Sequence, residues 1–322
     1  MKLSAVTLWR ALRSPFEPGS RAISAALLLL LCGLLLPQVN LPRKTYSFVV
    51  VFDITQSMNV EDYDLNGLPV SRLAFAKEAV RRALRELPCG SRVGWGAFAE
   101  YRTILLLAPV EVCANYNDLL ASLDRIDGRM RWANASEVRK GVYWAMRAAK
   151  DAGGQPNVLF LTDGQEAPPE VGPGLPLFDD LKRGEPHGWL VGVGGYTPRR
   201  IPRTDDDGKM IGYWRGDEVI QLSDLVGEEG SGSSGAPGTP NTPGTSKGAA
   251  PVSHEELSEV REPHLQTLAR EVGFDYTHLT SLESVGTAMQ DSRFARRQSA
   301  PADVGWIPTL AALLMLAVRF RP

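Results

Sequence analysis

Continuous apolar runs recur through the middle of the chain, each about the length of one strand. They are "YSFVVVF" at 46–52, "NVLFLTDG" at 157–164 and "GWLVGVGG" at 188–195. Uninterrupted apolar runs of this length are typical of parallel strands that are covered on both faces. The pattern therefore predicts a sheet that is buried between two layers.

Amphipathic stretches separate these runs. Residues 72–87 repeat apolar side chains at helical spacing, and Pro88 and Gly90 end that pattern. A second helix is predicted to begin at Ser136, whose hydroxyl is suited to cap it. Weaker patterns predict strands at 92–100, 102–110 and 274–279, and helices at 117–126, 263–273 and 281–290. This alternation predicts an α/β fold, a Rossmann-like sandwich with a mainly parallel central sheet.

The chain is apolar near its N-terminus. Residues 22–36 are uncharged and rich in leucine, and the uncharged stretch extends to residue 42. Such a segment is a signal peptide or a membrane anchor, and no small-x-small cleavage site follows it. We therefore expect a transmembrane anchor at 22–39. The preceding segment, 1–21, carries the basic residues and is expected to stay in the cytoplasm.

A second apolar segment lies at 304–318. It is short for a span, which usually takes about 17–25 residues, but Trp306 is suited to a membrane interface. We predict a second transmembrane helix here, after a linker at 291–303, with a core or amphipathic helix as the alternative. Two flanking helices would leave the domain at 45–290 on the outer side of the membrane.

Two insertions interrupt the strand–helix alternation. Residues 201–214 predict a hairpin that turns at Asp207 and Gly208. Residues 227–253 are rich in Gly, Ser, Pro and Thr, so we predict a disordered surface loop there.

The net charge bears on which partners the chain can bind, and the three cysteines bear on its cellular compartment. The 322 residues carry a net charge of −2, which argues against an extended nucleic-acid surface. Cys32 lies inside the apolar run and is expected to face lipid. Cys89 and Cys113 form a candidate disulfide if the domain lies outside the cytoplasm, with two unrelated buried cysteines as the alternative.

Oxygen-bearing side chains follow two of the predicted strands. Asp53, Thr55 and Ser57 alternate after the first buried strand, Asp163 ends another, and Ser136 begins a helix. Because ligands of such sheets bind at the carboxyl ends of the strands, these side chains are expected to converge. An all-oxygen set suits Mg²⁺ first, with Mn²⁺ or Ca²⁺ as alternatives, and does not suit zinc.

Alternative interpretations of these residues remain open. The D-x-T-x-S stretch is also compatible with a turn in which Asp53 and the hydroxyls bond local amides. A metal-dependent phosphoryl hydrolase of the D-x-D type needs a second acid where Thr55 stands. The sequence has no G-x-x-x-x-G-K-[ST] loop and no G-x-S-x-G elbow, so we do not expect an enzyme. The nearby Glu61, Asp62 and Asp64 predict a solvated acidic loop.

The ordered motif resembles the von Willebrand factor A domain with a metal-ion-dependent adhesion site, over roughly residues 45–290. That family carries D-x-S-x-S, a later threonine and a later T-D-G. Here Thr55 replaces the middle serine, Ser136 in "ANASEV" stands for the threonine, and Asp163 lies in "LTDG". The resemblance implies that Asp53, Thr55, Ser57, Ser136 and Asp163 hold a divalent cation.

Longer stretches, such as "RLAFAKEAV" and "LDRIDGRMRWANASEVRKG", resemble bacterial membrane-anchored members of the family. These are the aerotolerance-type proteins associated with MoxR-type ATPases, and the MxaL family of methanol-oxidation accessory proteins. The resemblance implies an inner-membrane protein with its domain in the periplasm, which binds a carboxylate of a protein partner through the cation. It further implies maturation of a periplasmic quinoprotein dehydrogenase, including metal insertion. A scaffold that assembles with itself or with other proteins of the family is the alternative.

Overall fold

The computed structural model describes residues 18–36, 39–170, 180–222, 254–302 and 304–319. Lys44–Arg296 form one compact unit. Met1–Arg43 and Arg297–Pro322 together form the other. The insertion at 227–253, which was predicted to be disordered, lies outside the described residues. Residues 1–17 of the predicted cytoplasmic segment also lie outside them.

The helices and strands follow in this order. The strands are β1 (Val39–Thr45), β2 (Ser47–Asp53), β3 (Tyr63–Leu65), β4 (Leu68–Val70), β5 (Arg92–Ala99), β6 (Arg102–Glu111), β7 (Asn157–Thr162), β8 (Gly188–Gly192), β9 (Arg199–Arg200), β10 (Pro202–Thr204), β11 (Met210–Tyr213), β12 (Leu257–Ser258), β13 (Asp275–His278) and β14 (Arg296–Ala302). The helices are α1 (Pro18–Leu35), α2 (Arg72–Glu86), α3 (Tyr116–Arg125), α4 (Val138–Asp151), α5 (Glu262–Val272), α6 (Ser284–Met289) and α7 (Trp306–Arg319).

Six strands of the larger unit form the central sheet, in the order β13-β8-β7-β2-β5-β6. All neighbours are parallel except β5 and β6, which are antiparallel. The α/β sandwich with a mainly parallel sheet is therefore confirmed. Because β2 lies between β7 and β5, its carboxyl end is at the centre of one edge of the sheet.

Strand β2 explains why the sheet needs helices on both faces. Its residues Phe48 and Phe52 belong to one hydrophobic cluster, which includes apolar side chains of α2, α3 and α6. Val49 and Val51 point the opposite way and belong to a second cluster with α4 and α5. Alternate side chains of a strand face opposite sides, so a run of apolar residues requires two covering layers.

The smaller unit contains α1 and α7, which pack against each other. They approach closely at Gly33, where an added Cβ would lie 2.7 Å from the Oγ1 of Thr309. Strands β1 and β14 pair to form a two-stranded sheet. Among the helices of the described ranges, none has the length and apolarity that a membrane crossing requires, so the spans predicted at 22–39 and 304–318 are not confirmed.

The first turn of α4 differs from the sequence prediction. The helix begins at Val138 with Glu137 at its N-cap, so the prediction of Ser136 as the capping residue is wrong. The carboxylate of Glu166 accepts hydrogen bonds from the backbone N–H groups of Val138 and Arg139 instead. This frees Ser136 for a different role.

Two other local predictions are confirmed. Strands β10 and β11 form the antiparallel hairpin, and its turn contains Gly208 with φ at +79°, a conformation that favours glycine. Cys89 and Cys113 form a disulfide with 5.2 Å between their Cα atoms, whereas Cys32 is free and exposed.

Candidate functional site

The two aspartates of the motif lie side by side. Asp53 is the last residue of β2, and Asp163 directly follows β7, its neighbour in the sheet. Parallel neighbours end at the same edge, which places both carboxylates together. Both side chains are completely buried.

The loop after β2 turns back over Asp53. The backbone N–H and the hydroxyl of Thr55 both donate to Asp53 Oδ1, at 2.9 and 2.6 Å. The Oγ atoms of Thr55 and Ser57 are 3.2 Å apart, and a short 3-10 helix at Gln56–Asn59 fixes this turn. Thus the alternating D-x-T-x-S residues do converge.

Ser136 comes to the same place from a third loop. Its backbone N–H donates to Ala167 O at 2.8 Å, and its backbone C=O accepts from the N–H of Ala167 at 2.7 Å. Its hydroxyl is buried and has no hydrogen-bond partner within the described part of the chain. It lines one cavity of about 270 Å³ together with Thr55 and Ser57. Leaving a buried hydroxyl unpaired costs about 1–3 kcal/mol, so this position favours a bound ligand.

The electrostatics of the site also favour a cation. Burial, and then the negative charge of Asp163, raise the pKa of Asp53 to about 7, although hydrogen bonds from Thr162 and Thr55 oppose this shift. The hydroxyl of Thr162 donates to Asp53 Oδ2 at 2.6 Å. Two buried carboxylates beside each other repel, and a divalent cation between them would remove that repulsion.

A buried arginine that the sequence did not indicate as a site residue meets Asp163. Arg72 Nη1 donates to Asp163 Oδ2 at 2.7 Å, and Arg72 Nη2 donates to Asp62 Oδ2 at 2.7 Å. Ser258 accepts from Arg72 Nη1 at 2.6 Å and donates to Asp163 Oδ2 at 2.8 Å. Burial alone would lower the pKa of Arg72, but Asp163 and Asp62 raise it above its usual value.

Asp62 departs from the prediction of a solvated acidic loop, because its side chain is only 5% exposed and it also accepts from the backbone N–H of Gly195 at 2.9 Å. With all groups ionised, three carboxylates (Asp53, Asp62, Asp163) and one guanidinium leave this buried cluster with a formal charge of −2. That charge matches one divalent cation. The residues present therefore fit a cation such as Mg²⁺, which prefers oxygen ligands.

A second group of possible metal ligands lies outside this site. Ligand atoms of Glu166, Glu170 and His264 lie within 4.8 Å of one another. Glu166 caps α4, however, and Glu170 accepts from Arg139 Nε at 2.5 Å. Glu166 and Glu170 therefore already have partners within the fold, and His264 contacts Glu166 at 3.0 Å.

The comparisons with known proteins agree with this fold. Residues 48–165, which run from β2 to the loop after β7, match the family model described as "von Willebrand factor type A domain". A "UPF0353 protein" of Mycolicibacterium paratuberculosis is 24% identical over 279 residues, which cover 87% of this chain and 70% of the relative. A "UPF0353 protein" of Mycolicibacterium gilvum shows the same identity and coverage.

Among solved structures, this chain is similar to an aerotolerance-related membrane protein of Bacteroides fragilis. The TM-score is 0.47 at 16% identity, and the match covers 76% of this chain and 96% of the other.

Proposed function

We propose that this chain binds a protein partner through a divalent cation, Mg²⁺ first, held by Asp53, Thr55, Ser57, Ser136 and Asp163. One observation carries the proposal. Two separate loops bring the buried hydroxyls of Thr55, Ser57 and Ser136 to one cavity, and among the described residues the hydroxyl of Ser136 has no hydrogen-bond partner. The alternative of a locally capped turn explains the hydrogen bonds of Thr55 to Asp53 but not the position of Ser136.

The five proposed ligands suit a cation that can still bind one further ligand, supplied by a partner protein. When bound, the ion supplies an electrophilic position that a partner's carboxylate can occupy. Both oxygens of Asp163 already accept hydrogen bonds, one from Arg72 and Ser258 and the other from the N–H of Gln165. Its charge is therefore partly compensated, and the three hydroxyls are neutral. Asp53, by contrast, accepts hydrogen bonds from Thr55 and Thr162, and no cationic side chain among the described residues pairs with it.

The proposal places the domain in the periplasm, held at the inner membrane by the smaller unit. Apolar side chains on its helices support this placement because they are exposed, as large exposed apolar surfaces often meet lipid or a partner. They include Leu27, Leu31, Leu34, Leu313, Leu314 and Val318. The Cys89–Cys113 disulfide fits the oxidising compartment outside the cytoplasm.

In that compartment we propose an accessory role, the maturation of a metalloenzyme such as a quinoprotein dehydrogenase. This part rests on the sequence resemblance. The metal site supports the partner contact on which such a role depends.

Capture of partners from solubilised membranes tests the proposal. The full-length chain is compared with Asp53→Ala, in buffers with Mg²⁺ or with EDTA. Asp206→Ala is the matched control, because Asp206 is exposed and does not line the cavity beside the motif. We expect a partner that is retained with Mg²⁺ by the unaltered chain and by the control, and lost with EDTA or Asp53→Ala. A partner that is retained equally under all conditions would overturn the proposal.

A further inference from the structure

The cavity beside the proposed cation is polar on one side and apolar on the other. Thr55, Ser57 and Ser136 supply the polar side. The facing walls are mostly apolar: Pro168, Ile201, Trp214, Val219 and Ile220. A group bound to the hydroxyl side would thus have apolar side chains directly next to it.

The hairpin insertion supplies Ile201 and Trp214 of the apolar wall, and Gln56 ties that insertion to the metal loop. Gln56 Oε1 accepts from Trp214 Nε1 at 2.9 Å and from the N–H of Thr204 at 3.1 Å. Its Nε2 donates to Asn134 Oδ1 at 2.7 Å, in the loop that leads to Ser136. Since Gln56 stands between Thr55 and Ser57, the wall and the cation site are held in one arrangement.

The two acidic side chains that line the cavity, Glu218 and Glu255, already have partners. Glu218 is paired with Arg203 at 2.8 Å, and Glu255 accepts from Gln165 Nε2 at 2.8 Å and lies 3.4 Å from Arg261. The bound cation would therefore be the strongest positive centre that faces the cavity. The free part of the cavity suits an uncharged, apolar group.

The size of the cavity indicates what kind of ligand fits. Its volume of about 270 Å³ is below the usual range of small-molecule sites, about 300–1,000 Å³. That space suits one or two side chains. Ile220 is 51% exposed at its edge, so a partner's chain can reach it from outside.

We propose that this cavity recognises a short protein segment in which a bulky apolar side chain lies two positions from an acidic residue. The acid completes the coordination of the cation, and the apolar side chain packs against Ile220, Val219 and Trp214. In an extended segment, residues two apart point to the same side and are about 6.5–7 Å apart, which lets one segment supply both groups. This inference rests on the proposed function, since it needs the cation.

Synthetic peptides test this selectivity with the full-length chain. Each peptide carries one Glu in a Ser/Ala background, with Leu, Phe or Ser placed two positions away. Binding is measured in Mn²⁺ and in EDTA. We expect Mn²⁺-dependent binding that is about tenfold tighter for Leu or Phe than for Ser, which corresponds to about 1.4 kcal/mol.

Two variants locate the apolar contact. Ile220→Ser removes a side chain of the wall, and Ile211→Ser is the matched control. Ile211 is similarly exposed, at 55% against 51% for Ile220, but does not line the cavity. We expect Ile220→Ser to abolish the preference for Leu and Phe, and Ile211→Ser to keep it. Mn²⁺ affinity in the absence of peptide should be the same in both variants.

The outcomes separate the two proposals. If acidic peptides bind through Mn²⁺ without any preference for an apolar neighbour, or if both variants behave alike, the cavity proposal is wrong and the proposed function stands. If no acidic peptide binds in a Mn²⁺-dependent way, both proposals are contradicted. If apolar peptides without an acid bind equally well, the cavity has a different occupant from the one proposed.

Discussion

The guanidinium of Arg72 and the carboxylate of Asp163 form an ion pair of 2.7 Å, and both side chains are completely buried. They come from different parts of the fold, the first residue of α2 and the loop after β7. The same guanidinium also holds Asp62 at 2.7 Å. Arg72 therefore stabilises one carboxylate of the proposed metal site while the other, Asp53, is left for the cation.

Replacement of Arg72 should strongly destabilise the domain. Arg72→Met leaves two buried carboxylates without a cation, a situation that typically costs about 3–5 kcal/mol. Arg72→Lys should lose less, although one ammonium cannot reproduce the planar fork of donors. Urea denaturation in EDTA measures both. The control is Arg82→Met in the same helix, where the side chain is 46% exposed and a loss below about 1 kcal/mol is expected. Equal losses at both positions would show that the buried pair has no special weight.

Two buried serines should respond in opposite ways. Among the described residues the Ser136 hydroxyl has no hydrogen-bond partner, so Ser136→Ala removes an unpaired buried group and should raise the free energy of unfolding in EDTA by about 1–3 kcal/mol. Ser258→Ala removes hydrogen bonds to Arg72 and Asp163 and should lower the free energy of unfolding by about 1–3 kcal/mol.

Thermal unfolding with added Mg²⁺ then tests whether Ser136 contributes to metal binding. Metal at 100 times its Kd should add about 2.7 kcal/mol to the unaltered chain, and less to Ser136→Ala. A destabilised Ser136→Ala variant with unchanged response to Mg²⁺ would assign Ser136 a structural role.

Glu111 should make part of the stability sensitive to acid. Burial alone would raise its pKa, but hydrogen bonds from the N–H groups of Gly90, Ala114 and Cys113 outweigh burial and lower the pKa below its ordinary value of 4.5. A lowered pKa means that this stabilisation is complete above the unfolded-state value and is lost as pH falls through the folded-state value. The melting temperatures of the unaltered chain and Glu111→Gln should therefore differ at pH 7 and converge as the solution is acidified below pH 4.5. Parallel curves across that range would exclude this contribution.

The disulfide should stabilise the domain without serving the metal site. Cys89 and Cys113 are separated by 24 positions, and a bridge of that span contributes about 3 kcal/mol in the chain-entropy model. It lies near the end of β5 where Arg92 pairs with Glu111, whereas Asp53 pairs with Phe98 near the other end. The double variant Cys89→Ser, Cys113→Ser should therefore unfold at lower urea concentration and keep its Mg²⁺ affinity. A loss of Mg²⁺ affinity in a folded double variant would contradict this separation.

The convergence of Asp53, Thr55, Ser57 and Asp163 was predictable because it follows from local patterns. Each aspartate ends an apolar run, and the carboxyl ends of neighbouring parallel strands must meet. Ser136 lines the same cavity as Thr55 and Ser57, but the local role predicted for it is wrong. Its pattern resembles a helix N-cap, while the structure uses its backbone to pair with Ala167.

The Arg72 cluster could not be predicted from spacing. Arg72 and Ser258 are 186 positions apart, and Asp62 looks like a member of a solvated acidic run. One signal does exist in the sequence. Arginine at the first position of a helix is unfavourable for the helix dipole by about 0.3–1 kcal/mol, which a nearby carboxylate offsets. Arg72, the first residue of α2, meets Asp163 and Asp62 in this way.

An anomalous difference map from crystals grown with Mn²⁺ tests the central claim most directly. The account predicts a peak at the cavity edge bounded by Ser57 and Ser136, with oxygen ligands at about 2.0–2.6 Å. Crystals of Asp53→Ala should lack it. A map that shows Mn²⁺ only between Glu166, Glu170 and His264, or no Mn²⁺ beside Ser57 and Ser136 at saturating concentration, would contradict the account.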